Sequence, residues 1–164
     1  MTEHAIFQLS EQVGERLKSR GAHVTCAESC TGGGLAKVIT DVSGSSAWFD
    51  YGFVTYSNRA KEVLVGVKSE TLAEYGAVSG EVVEEMASGA LDKADADYAI
   101  SISGVAGPDG GTPEKPVGTV WFGFAARQDK GFVRRMQFDG DRNSVRQQAV
   151  QFALETLLNA FLQN

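Results

Sequence analysis

The sequence predicts an α/β fold with a mixed sheet, and three observations carry that expectation. Apolar residues at helical spacing alternate along the chain with short runs rich in β-branched and aromatic residues. Two such runs open directly into glycine-rich turns, at 28–34 and 103–111. Two late runs, 117–126 and 132–138, flank Gln128-Asp129-Lys130-Gly131 and read as a hairpin, which adds antiparallel strands to an otherwise parallel arrangement. With no linker or internal repeat, the expectation is one domain over residues 1–164, a three-layer αβα sandwich of helices around a mixed sheet.

The elements follow in order. Residues 4–20 carry Ile6, Leu9, Val13 and Leu17 at helical spacing and end at Gly21, the pattern of an amphipathic helix packed on a sheet. Residues 22–27 read as a buried strand feeding Glu28-Ser29-Cys30-Thr31-Gly32-Gly33-Gly34, followed by a short helix at 35–40. The aromatic stretch 47–56 is expected to be a strand or a pair of extended segments. Tyr56-Ser57-Asn58 is a corner leading into a helix with Ala60, Lys61, Val63 and Leu64, and residues 69–75 form another that Gly76 closes. From Ser79 onward, Val82, Val83, Met86, Ala87, Ala90 and Leu91 make one apolar stripe, which is core rather than a cofactor box. Residues 97–103 form a strand with Ile100 and Ile102 on one side. Asp139-Gly140-Asp141 caps a last helix to about Leu162, burying Val145, Ala149, Phe152, Ala153, Leu157 and Phe161.

Composition narrows the function classes. A 164-residue chain with 43% apolar and 22% charged residues suits a soluble globular protein with a sizeable core. No apolar run approaches a membrane span, and Met1-Thr2-Glu3-His4 does not read as a secretory leader, so the expected compartment is the cytoplasm with no membrane partner. A net charge of −6 gives no electrostatic footprint for nucleic acid. Cys26 and Cys30, four residues apart and without nearby histidines, read as buried thiols rather than a disulfide framework or zinc ligands. Trp48 and Phe49 are expected at the surface, where they point to a homo-oligomeric interface.

The chemistry concentrates at three strand ends: residues 29–34, 56–61 and 103–112, with Arg142 joining from the last helix. Ligands in open α/β sheets gather at such ends. Unmasked helix-start amides after Ser29 suit a phosphate or an oxyanion; the plain alternative is a tight turn with Ser29 as helix cap. Neither a Walker loop nor a Gly-x-Gly-x-x-Gly pattern is present, and His4 and His23 lie far from the turn in the predicted order, which leaves no Ser-His-Asp arrangement. If Ser29 is a nucleophile, a lysine with a pKa lowered by burial is the natural base. Lys61 can reach the rim from the neighbouring strand end, with the Tyr56 hydroxyl orienting it or relaying a proton, whereas Lys37 is expected to point outward. Cys30 is the rival nucleophile, equally in need of an activating partner.

Ala27-Glu28-Ser29-Cys30-Thr31-Gly32-Gly33, Tyr56-Ser57-Asn58 with Lys61, Gly76-Ala77-Val78-Ser79, 103–111 and Pro116-Val117-Gly118-Thr119-Val120 together resemble the CinA C-terminal domain family, in order and over essentially the whole chain. The chain is similar to the stand-alone members rather than to those with an additional N-terminal domain. The resemblance implies hydrolysis of the carboxamide of nicotinamide mononucleotide in pyridine nucleotide recycling, without metal or organic cofactor. It further implies a Ser/Lys dyad of Ser29 and Lys61 assisted by Tyr56, with the amides of Thr31, Gly32 and Gly33 stabilising an oxyanion. Cys30, Thr31, Gly32, Gly33, Ser103, Gly104, Gly107, Gly110, Gly111 and Arg142 are the expected substrate-binding positions. Gly34 stands where relatives often have a larger residue. A nucleotide-binding module without turnover is the alternative reading.

Overall fold

The Thr2 hydroxyl accepts from the Ala5 amide and caps helix α1 (Glu3–Arg20), whose buried stripe of Ile6, Val13 and Leu17 lies on the sheet face beneath it. The computed structural model describes residues 2–163, so Met1 and Asn164, the two ends of the expected domain, lie outside the described residues. Strand β1 (Val24–Glu28) follows and is buried along its whole length, as a central parallel strand must be. Next come α2 (Gly34–Thr40), a 3-10 turn (Ser45–Ala47), β2 (Gly52–Val54), α3 (Asn58–Val65), α4 (Ser69–Tyr75) and α5 (Gly80–Ala94). The chain closes with β3 (Tyr98–Gly104), β4 (Thr119–Ala126), β5 (Phe132–Gln137) and α6 (Arg142–Phe161).

The five strands form one sheet in the order β2-β1-β3-β4-β5. The first three are parallel and the hairpin is antiparallel, as the sequence predicts. Alternation along each strand sorts the core into two layers. Val24, Cys26, Ile100, Ile102, Phe122 and Phe124 face α1, α2 and α6. Ala27, Ala99 and Ala125 face α3, α4 and α5. The crossover from β1 to β2 runs through α2 on one face, and that from β2 to β3 runs through α3 to α5 on the other. The winding therefore reverses at the carboxyl end of β1, the position where open α/β sheets form their ligand crevice.

Two expectations fail in residues 47–56. Only Gly52–Val54 pairs with β1, in the register Cys26↔Gly52 to Glu28↔Val54. Trp48 is not a surface aromatic: it is 6% exposed, and its ring lies over Gly14, where an added Cβ would come within 2.4 Å of it. Phe49 is half-buried against the same core. Burying that indole is worth more than continuing an edge strand, so the chain turns at Ser45–Ala47 to drive Trp48 inward. The aromatic argument for an interface falls with it. The exposed apolar side chains of this region are instead Tyr51, Val54 and Tyr56, on and beside the sheet edge. Among the described residues no helix is long and apolar enough to cross a membrane.

Candidate active site

Ser29 directly follows β1, its amide donating to the Ile102 carbonyl of β3 at 2.9 Å, so the residue is pinned at the crevice between the two central strands. The turn beyond it needs left-handed backbone at Gly32 (φ 58°) and Gly33 (φ 100°), which explains two of the three glycines. Glu28, which shares the face of Val24 and Cys26 by strand alternation, is completely buried. Its carboxylate accepts from the Leu35 and Ala36 amides at 2.8 and 2.9 Å and from the Thr31 hydroxyl at 2.6 Å. The start of α2 is thus filled by the protein's own carboxylate. Substrate phosphate or oxyanion cannot use those amides, contrary to the expectation for helix-start donors. The Gly32 amide is also engaged, donating to the Ser29 carbonyl at 3.0 Å. The amides of Cys30, Thr31 and Gly33 make no hydrogen bond to another described residue.

Helix α3 supplies Lys61. Ser57 caps the helix by accepting from the Ala60 amide. Side chains on a helix slant toward its start, so Lys61, one turn in, leans back over the Thr55–Tyr56 corner. Its Nζ lies 3.0 Å from Ser29 Oγ and donates to the Thr55 and Tyr56 carbonyls at 3.1 and 3.4 Å. Ser29 Oγ in turn donates to the Tyr56 carbonyl at 3.3 Å. The lysine is 1% exposed, and burial lowers its pKa below the ordinary lysine value. Lys37, by contrast, is exposed and pairs with Asp41 at 2.9 Å. Cys30 lies beside Ser29, but burial pushes its thiol up to about 11, so it stays protonated and a poor nucleophile near neutral pH.

Above Ser29 opens a cleft of about 340 Å³ lined by Ser29, Cys30, Tyr56, Gly104, Val105, Ala106, Gly107, Asp109, Gly110 and Arg142. Arg142, at the start of α6, donates to the Gly107 carbonyl at 2.9 Å and to the Tyr56 hydroxyl at 3.2 Å. Beyond Arg142 and Ala106 lies a second cleft of about 560 Å³, bounded by Pro108, Val117 and residues 140–143. The two suit a ligand with its reacting end over Ser29 and a second polar group past the guanidinium. A larger cleft, about 660 Å³, lies elsewhere, between α1, α2 and α6, and is lined by neither Ser29 nor Lys61.

Most of the expected site residues converge, with instructive exceptions. Tyr56 reaches Ser29 and Lys61 through its carbonyl; its hydroxyl is 3.2 Å from Arg142, not on Lys61. The Ser103 hydroxyl is turned to the opposite sheet face, donating to the Ala77 carbonyl at 2.9 Å, because alternation puts it opposite Ile102. Gly111 is outside the Ser29 cleft; it packs against the chain at Val117, where an added Cβ would lie 2.8 Å from the amide nitrogen. Thr31 turns its side chain into Glu28. Sequence reasoning missed Glu28, although an acidic residue ending a buried strand before a glycine turn was a visible signal. It also missed Arg146, which donates to the Thr31 carbonyl at 3.3 Å from α6 and left no local mark in the sequence.

A buried amine on a serine hydroxyl at the switch point of this sheet meets the family-wide comparison: residues 6–161 match the CinA C-terminal domain model, and the chain belongs to that family. It is 65% identical over 164 residues to nicotinamide-nucleotide amidohydrolase PncC of Escherichia coli strain K12, covering 100% of this chain and 99% of that protein. The protein of the same name from Pseudomonas putida is 53% identical over 153 residues, covering 93% and 95%. Among solved structures, competence/damage inducible protein CihA from Agrobacterium tumefaciens superposes with a TM-score of 0.93 at 41% identity, covering 97% of this chain and 96% of that one.

Proposed function

We propose that this chain is a nicotinamide-nucleotide amidohydrolase, cleaving the carboxamide of nicotinamide mononucleotide to nicotinate mononucleotide and ammonia in pyridine nucleotide recycling. The substrate class rests on the 65% identity, over the full chain, to a protein named for that activity. The mechanism rests on one observation, the 3.0 Å contact between Lys61 Nζ and Ser29 Oγ in a site that keeps the amine out of water.

Neutral Lys61 accepts the Ser29 proton as Oγ bonds to the amide carbon, and the carbonyl oxygen becomes an oxyanion facing the Cys30 and Thr31 amides. The Lys61 ammonium then gives its proton to the departing nitrogen, the carbon–nitrogen bond breaks, and ammonia leaves. Water adds to the nicotinoyl ester, yielding its proton to Lys61, and collapse returns the proton to Ser29 Oγ. The Thr55 and Tyr56 carbonyls hold the ammonium through both halves. With the Ser29 contact they fix the direction of Nζ in a side chain that is almost fully buried.

Arg142 meets the phosphate from the boundary of the two clefts. A hydrogen bond to a charged group is worth about 1.5–3 kcal/mol. Arg142→Ala is therefore expected to raise KM for the mononucleotide roughly 10- to 100-fold, while cleavage of the phosphate-free riboside changes little. Equal losses on both substrates would remove Arg142 from the phosphate. The activity itself is tested by ammonia release from nicotinamide mononucleotide by the purified chain. Binding without ammonia release would leave a nucleotide-binding module instead.

A further inference from the structure

We propose that Glu28 is a positioning residue for the Ser29–Lys61 pair, and that its buried carboxylate sets the rate of the acyl-transfer step rather than serving only to cap α2. The inference rests on the reading of Ser29 and Lys61 as the reacting pair and goes beyond it in assigning what holds them in register.

Glu28 bears on both halves of that pair, on Ser29 as its chain neighbour and on Lys61 through Thr55. On one side it precedes Ser29, and its carboxylate gathers the Thr31 hydroxyl and the first amides of α2. Those three contacts fix where the turn leaves β1 and hence the direction of Ser29 Oγ. On the other side the Glu28 carbonyl accepts from the Thr55 amide at 2.8 Å and the Thr55 hydroxyl at 3.4 Å. The Thr55 carbonyl is in turn an acceptor for Lys61 Nζ at 3.1 Å. One residue therefore anchors the nucleophile through its side chain and the lysine through its main chain.

The carboxylate has a second consequence. A helix start competes for any anion that reaches it. With Leu35 and Ala36 already engaged, the turn amides that donate to no other described residue are those of Cys30, Thr31 and Gly33, next along the chain from Ser29. Glu28 thereby leaves the developing negative charge to the turn amides rather than to the start of α2. Burial makes the arrangement sensitive to the charge itself: a neutral replacement of equal size must turn an N–H toward one of two backbone N–H groups. A displacement of the order of 1 Å at reacting atoms costs about a hundredfold in rate.

The test compares Glu28→Gln with the parent chain, using ammonia release from nicotinamide mononucleotide and, separately, the rate at which a fluorophosphonate probe labels Ser29. Both are normalised to folded protein by near-ultraviolet circular dichroism. The expected result is a fall in kcat of about 30-fold or more with KM within twofold, and a parallel fall in Ser29 labelling. Unchanged kcat per folded molecule, or a rise in KM alone, overturns the proposal and leaves Glu28 a helix cap. If the parent chain releases no ammonia, the amidohydrolase reading fails, and the labelling rate still decides the role of Glu28. Should Glu28→Gln not fold, Thr31→Val removes a single donor from the same carboxylate. A fivefold or larger loss of labelling, recovered in Thr31→Ser, supports positioning, and parent-like labelling in Thr31→Val overturns it.

Discussion

Ser29→Ala is expected to lower kcat for ammonia release by at least about 10⁴-fold while leaving nucleotide affinity within a few fold. In the proposed mechanism the loss is this large because the hydroxyl oxygen becomes covalently bonded to the substrate, and no neighbouring group is set up to replace it. The obvious substitute, Cys30, has its thiol pushed up to about 11 by burial, and Lys61 Nζ is bonded to Ser29 Oγ instead. Alanine at 29 also removes a donor to the Tyr56 carbonyl without adding bulk, so the fold should persist. Steady-state ammonia release with isothermal titration of the mononucleotide reads both quantities. Residual turnover within tenfold of the parent would return the chemistry to another residue.

Lys61→Met is the second large effect, expected to cost roughly 10²- to 10⁴-fold in kcat, the range for a positioned acid–base group. Burial lowers the Lys61 pKa, so the neutral amine becomes populated as pH rises through that lowered value. The parent rate should therefore climb with pH and level off once Lys61 is neutral, and Lys61→Met should lose the climb. Stability follows with a definite sign. Between the lowered folded pKa and the ordinary value of 10.5 the unfolded chain binds the extra proton, so stability increases with pH across that window. Below it both states are protonated and the contribution is constant. Urea denaturation of parent and variant across the alkaline range measures that slope, and parallel curves would mean Lys61 titrates normally.

How much of this was legible in the sequence differs between fold and site. Helical periodicity gave α1 and α6 to within a residue or two, and the start and buried stripe of α5, since each has a polar outer face and a defined cap. The glycine turn after β1 and the Ser57 corner were equally legible, because turn chemistry is local. Trp48 was misread because exposure is not local: whether an indole stays out depends on Gly14, 34 residues earlier in the chain. Tyr56 was read through its side chain, the part sequence makes visible. The atoms of Tyr56 that meet Lys61 belong to the backbone, which every residue shares.

The sequence by itself determined the element order, the mixed character of the sheet and the pairing of a turn serine with a lysine one strand away, because periodicity and turn preference act over a few residues. Only the tertiary structure decided that the lysine is stripped of water and aimed at the serine, and that Glu28 occupies the helix start meant, on first reading, for a ligand. Burial and hydrogen-bond direction arise from what the other layers place nearby, and no window of neighbouring residues contains them.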